Sequence, residues 1–146
     1  MSTKNIHFAG EWFDCCTPKS LLANPLAIQA QCMAHIARRH LSISHDYFTL
    51  DSRHGVIGAM TGHDLHIVLH TFPHQEAVKA DLYINDDEAG QINAAMLVFV
   101  DLRDEFRPMR ALLHRVQRDG QPLPVRGRTP RAPTEVFLSN PVRRAV

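Results

Sequence analysis

His63-Asp64-Leu65-His66-Ile67-Val68-Leu69-His70-Thr71-Phe72-Pro73-His74 is the stretch on which the reading of this chain turns. Four histidines fall within twelve residues, set among aliphatic and β-branched side chains, and Pro73 closes the apolar run. Such side chains favour a pleated, half-buried surface, and a Pro cannot donate to a sheet ladder. Asp64 to Phe72 is therefore predicted as a strand that stops at Pro73. Alternate residues of a strand share a face, so His66 and His70 point the same way with Val68 between them. Their Cα atoms then lie about 13 Å apart.

Working outward, Thr61-Gly62 makes a tight link to a preceding strand from Gly55 to Met60, and Ala77 to Ile84 is the strand that follows. Asp51 to His54 is a polar turn. Leu41 to Leu50 is expected to be extended, with Leu41, Ile43 and His45 on one face, and Ile6 to Phe13 forms a first strand. Asn24-Pro25 is a helix start, Asn as N-cap and Pro in the first helical position. Leu26, Met33, Ile36 and Ala37 supply an apolar stripe at helical spacing, and that helix should end near His40. A second helix spans Asp87 to Phe106 on Ile92, Met96, Phe99, Leu102 and Phe106, with Asp86 and Asp87 at its positive end. Pro108 breaks it. Met109 to Gln117 contains helix formers, and its reading as a strand rests on the resemblance given below. Gln121 to Val146 holds five of the nine prolines and five arginines without periodicity, and reads as an extended tail.

The order β-α-β-β-β-β-α-β predicts an α/β (α+β) fold: a two-layer sandwich, mostly antiparallel, with two helices on one face. The 146 residues, 45% hydrophobic, suffice for one core. Sixteen basic against fifteen acidic side chains offer no broad attraction to nucleic acid or an acidic membrane. No apolar run reaches the roughly 20 residues of a membrane span, and the first residues lack the apolar run expected of a signal peptide. Cys15, Cys16 and Cys32 do not make a disulfide framework. A cytoplasmic protein is expected.

The pattern His66-x-x-x-His70-Thr71-aromatic-Pro73, followed by a strand through Asp81, resembles the prokaryotic S-adenosylmethionine decarboxylase family. Weaker likenesses lie in Gly55-Val56-Ile57-Gly58, in His45 with Tyr47-Phe48, in Cys15 or Cys16 at the end of the first strand, and in Arg107-Pro108-Met109-Arg110 opening a last strand. The likeness covers roughly residues 5 to 120, so the expected division is a decarboxylase-like domain over 1–120 and the tail over 121–146. The resemblance also implies a dimer, which would cover a face that so small a sheet leaves open.

In that family a serine hydroxyl attacks the preceding carbonyl, the ester eliminates, and the new N-terminus becomes a pyruvoyl group that acts as the electron sink for decarboxylation. Leu65 stands at the serine position and has no heteroatom. The other implied roles shift with it. Asp64 keeps a carboxylate, one carbon shorter, before that position. Ile57 replaces the serine of the Gly-x-x-Gly turn, His74 replaces the ribose-gripping carboxylate, and Asn85 replaces the proton-donating cysteine. His70 resembles the processing histidine, and Tyr47 or Phe48 could stack on an adenine.

The expectation is a family member that does not process itself and carries no pyruvoyl cofactor. It would act structurally or as a regulator linked to polyamine metabolism, as a homodimer or paired with an active paralogue. The alternative is an enzyme using a remodelled pocket of His70, His66 and Asp64 on a nucleoside-like or amino-acid-like molecule. A working decarboxylase is the third reading. No metal is expected, although seven of the ten histidines lie between His40 and His74. A metal would need partners from more than one strand, and the candidates are His45, His54, His63 and His66. Asp81 reads as a hydrogen-bonded structural carboxylate, Cys15-Cys16 as buried packing, and Asp101, Asp104 and Glu105 with Arg103, Arg107 and Arg110 as a solvated helix face.

Overall fold

A computed structural model describes residues 5–63, 65–85 and 89–117. Along them run β1 (Asn5–Cys15), α1 (Lys19–Leu22), α2 (Pro25–Arg38), β2 (His45–Leu50), β3 (Val56–Thr61), β4 (Leu65–Phe72), a 3-10 turn (Pro73–Gln75), β5 (Ala77–Asn85), α3 (Ala89–Phe106) and β6 (Pro108–Gln117). Asp64, the Asp86-Asp87 pair and the expected tail over 121–146 lie outside the described residues. The strands form one six-stranded sheet in the order β2-β3-β4-β5-β1-β6, antiparallel at every pairing. The α+β fold is as expected, with the one-turn α1 as an addition.

Burial alternates along β4 with period two: Leu65, Ile67, Leu69 and Thr71 are buried, while His66, Val68, His70 and Phe72 are half-buried. The buried set faces α2 and α3, which pack against each other and against the sheet. Asn24 caps α2 as expected, its side-chain oxygen accepting from Ala27 N at 3.1 Å, with Pro25 in the first turn. The phase of the helix differs from the expected stripe. Ile28, Cys32, His35 and Ile36 are buried, whereas Leu26 is 75% exposed and Ala37 is exposed. At 3.6 residues per turn, Leu26 and Ile28 lie about 200° apart around the axis, so the sheet can cover only one of them. Ile28 is the one that continues into Cys32 and His35.

Nor are the acidic residues of α3 simply solvated. Arg39 Nε and Nη2 donate to the two oxygens of Asp101 at 3.0 and 3.2 Å, and His35 Nε2 donates to Glu105 at 2.8 Å. Arg38 donates to the other ring nitrogen of His35 at 3.0 Å. These pairs run 35 to 105 and 39 to 101, so α2 and α3 are antiparallel neighbours tied by charge-assisted bonds. Asp104 instead pairs with its neighbour Arg103.

The Thr of the His-Thr-x-Pro run is structural. Thr71 is fully buried; its hydroxyl donates to Leu22 O at 2.6 Å and accepts from Val56 N at 2.8 Å, tying α1 and β3 to the end of β4. Nearby Gly55 leaves no room for a side chain, since a Cβ there would come within 2.3 Å of Thr71 O. α3 ends at Phe106, Arg107 follows with a left-handed φ of 54°, and Pro108 then opens β6, as the strand reading of this segment expected. Trp12, Phe99 and Phe106 fill the core at that end, with ring centroids 5.6 and 6.0 Å from Trp12.

Candidate functional site

The sheet face away from the helices is covered by no element among the described residues, and cross-strand register assembles it in rows. Thr61, His66, Tyr83 and His7 are consecutive partners across β3, β4, β5 and β1. One row along, Ala59, Val68, Asp81 and Ala9 form a strip of mostly small side chains. Beyond it stand Ile57, His70, Lys79 and Glu11. Side chains opposite each other on antiparallel strands share a face, so three histidines and three charged groups meet here.

Each histidine has a partner. His66 Nδ1 and Thr61 Oγ1 are hydrogen-bonded at 2.8 Å. His7 Nε2 donates to Asp81 Oδ1 at 2.9 Å, and its ring stacks on Tyr83 with centroids 4.1 Å apart. Among the described residues the buried Nδ1 of His7 has no partner. His70 Nε2 donates to Asp51 Oδ2 at 2.8 Å, and its ring lies 4.3 Å from that of Phe72. Asp51 is itself oriented by the turn it opens, because its Oδ1 accepts from the backbone N–H of Arg53 and Gly55, both at 2.8 Å. The hydrogen bond from His70, followed by those from Gly55 and Arg53, holds the Asp51 carboxyl down at about 2.

Leu65 lies elsewhere. Only 3% exposed, it points into the helix-side core from the first residue of β4, opposite the face of His66 and His70. Tyr47 and Phe48 diverge in the same way. Tyr47 is 65% exposed on the open face of edge strand β2, whereas the Phe48 ring lies on the helix side, in the space a side chain at Gly58 would need. Ile57 is the cross-strand partner of His70. His74 is exposed in the 3-10 turn and Asn85 is exposed at the end of β5.

The four histidines considered for a metal are not gathered. His54 sits in the β2–β3 turn, while His45, His63 and His66 lie toward the opposite end of those strands. Among the described residues no group of three or more His, Cys, Asp or Glu is placed to hold a metal ion. Burial pushes the thiols of Cys15 and Cys32 up to about 12, so neither is a thiolate near neutral pH. Cys16, read with Cys15 as buried packing, is exposed. No helix among the described residues is long and apolar enough to cross a membrane.

Three groups of this face escaped the sequence reading: Asp51, His7 and Tyr83. Asp51 looked like an ordinary turn residue. The one available signal was hairpin register: a β2–β3 turn at 51–55 brings its first residue beside the end of β4 once β3 pairs with β4.

The sequence profile of the S-adenosylmethionine decarboxylase family matches residues 6–119. Among solved structures, the adenosylmethionine decarboxylase from Aquifex aeolicus VF5 superposes with a TM-score of 0.63 at 15% identity, covering 87% of this chain and 100% of that one. At that identity the likeness speaks for the fold. No curated protein matches.

Proposed function

The chain belongs to the S-adenosylmethionine decarboxylase family, and from that premise we propose that it is a member that neither cuts its own backbone nor forms a pyruvoyl group. One observation carries the reading. The residue that the resemblance puts at the serine position is Leu65, whose side chain has no oxygen and is buried in the core. Without an Oγ there is no ester, and without the ester no ketone at a new N-terminus. The role left to such a chain is structural or regulatory within polyamine metabolism in the cytoplasm, as a homodimer or beside an active paralogue. Apolar Ile57, Val68 and Phe72, half-buried on the open face, support a second sheet lying against it. A second reading, an enzyme with a remodelled pocket, is favoured by the partnered histidines of that face. Asp64, one of its three expected residues, lies outside the described residues.

Intact-mass spectrometry of the purified protein tests the proposal. The expected result is a single chain near 16.5 kDa that does not react with hydrazine. Two fragments meeting at residue 65, or a trapped carbonyl, would overturn it.

A further inference from the structure

Beyond the question of self-processing, we propose that Asp51 is a positioning residue that fixes the His70 imidazole with its proton on Nε2, leaving Nδ1 as a proton acceptor on the open face of the sheet. Three observations carry this. The carboxylate and ring are 2.8 Å apart, Nε2 to Oδ2. Asp51 cannot swing away without giving up two backbone hydrogen bonds, to Arg53 N and Gly55 N. Among the described residues its remaining oxygen has only His70 as a partner, and an ionised carboxylate can only accept, so the Nε2 position must carry hydrogen.

The surroundings leave that arrangement unopposed. Across the strands His70 is flanked by Ile57 on β3 and Lys79 on β5, and on its own strand by the Phe72 ring. The Lys79 ammonium rests over Phe72, 5.9 Å from its centroid. Among the described residues, Asp51 is therefore the only anionic group hydrogen-bonded to His70. Its low-lying carboxyl stays ionised throughout the range in which an imidazole works.

The chemistry offered is proton abstraction from a small molecule with an acidic N–H, O–H or carbon-bound hydrogen. The X–H bond breaks, its electron pair stays on X, and the proton passes to Nδ1. The imidazolium so formed is stabilised by the Asp51 carboxylate, which itself stays unprotonated. Ile57, lacking a hydroxyl, adds nothing to this, and Asp51 takes over the orientation of the ring.

Two-bond proton–nitrogen correlation spectra of 15N-labelled protein at pH 8 test the assignment, with His70→Gln identifying the signal. In the wild type the protonated nitrogen of His70 should be Nε2. In Asp51→Asn the retained oxygen still serves the backbone N–H groups, but the new amide donates to Nε2, so the ring proton should move to Nδ1. Asp51→Glu should restore the wild-type pattern. A merely structural role for Asp51 would not reverse the tautomer. An Nδ1–H ring in the wild type, or an unchanged tautomer in a folded Asp51→Asn protein, would overturn the proposal. An Nδ1–H wild-type ring overturns the proposal even if that variant does not fold. Neither outcome depends on whether the backbone is cut.

Discussion

The two faces of the sheet are made from the same strands, yet they obey different chemistry. Toward α2 and α3, Leu65, Ile67, Leu69, Leu82 and Ile84 are all but inaccessible, and the buried polar Thr71 has both its donor and acceptor used. On the other side imidazoles, carboxylates and aromatic rings are mixed with Lys79 and the apolar Ile57 and Val68, and among the described residues the buried Nδ1 of His7 has no partner. A buried polar nitrogen without a hydrogen bond costs free energy, so the open face carries an unmet demand beside its partnered groups. Positions 65 and 66 show the contrast over a single step of chain. One side chain is sealed into the core, and its neighbour is bonded to Thr61 on the open face.

The sharpest way to break this contrast is to polarise both faces alike. Leu65→Ser should cost about 2–5 kcal/mol in urea unfolding, through lost apolar burial and the cavity left behind. His66→Ser, on the other face, should cost less than about 1 kcal/mol. Equal losses would remove the distinction. Next in size is the pairing of two copies. Val68→Lys places a charge at the centre of the open face, next to its cross-strand partner Asp81, where a single chain can satisfy it. A homodimer joined across this face should weaken by at least about 100-fold, read by sedimentation, because the two-fold axis brings like charges together. Unaltered association would move any interface elsewhere.

The smallest effect is in acid. The Asp51 carboxyl lies near 2 in the folded chain against an ordinary 3.8. A depressed carboxyl contributes stability that is complete above its unfolded value and lost as pH falls through its folded one. The contribution should therefore fade between about pH 4 and pH 2, and Asp51→Asn should flatten that part of a stability-against-pH curve. A curve unchanged by the substitution would mean that His70 and the turn do not hold the carboxylate in solution.

What could be read from the sequence followed from short-range rules. The alternation of β4, the Asn24-Pro25 start of α2 and the Pro108 break after α3 are each set by residues within one turn or one pleat of each other. The phase of α2 was not legible, because both Leu26 and Ile28 fit helical spacing and only the position of the sheet chooses between them. The ties of Asp101 and Glu105 to Arg39 and His35 join two helices some sixty to seventy residues apart in the chain, and nothing local announces them. The same holds for Asp51 and His70. The candidate residues taken from the family resemblance scattered for a related reason. Tyr47 and Phe48 are adjacent, so a strand must send them to opposite sides, and Leu65 and His70 are an odd number apart.

The place of β1 has a consequence for how the molecule is made. It lies inside the sheet, with Gly10 paired to Ala80 on one side and to Leu113 on the other, while β2 to β5 form a meander of local hairpins. As the chain leaves the ribosome, the earliest strand therefore waits longest for its second neighbour. Until β6 emerges, Ile6 to Trp12 present an unpaired apolar edge of the kind chaperones recognise and aggregates recruit. Closure of the sheet around this strand should be the slow step of folding, since its pairings span the greatest loops in the chain.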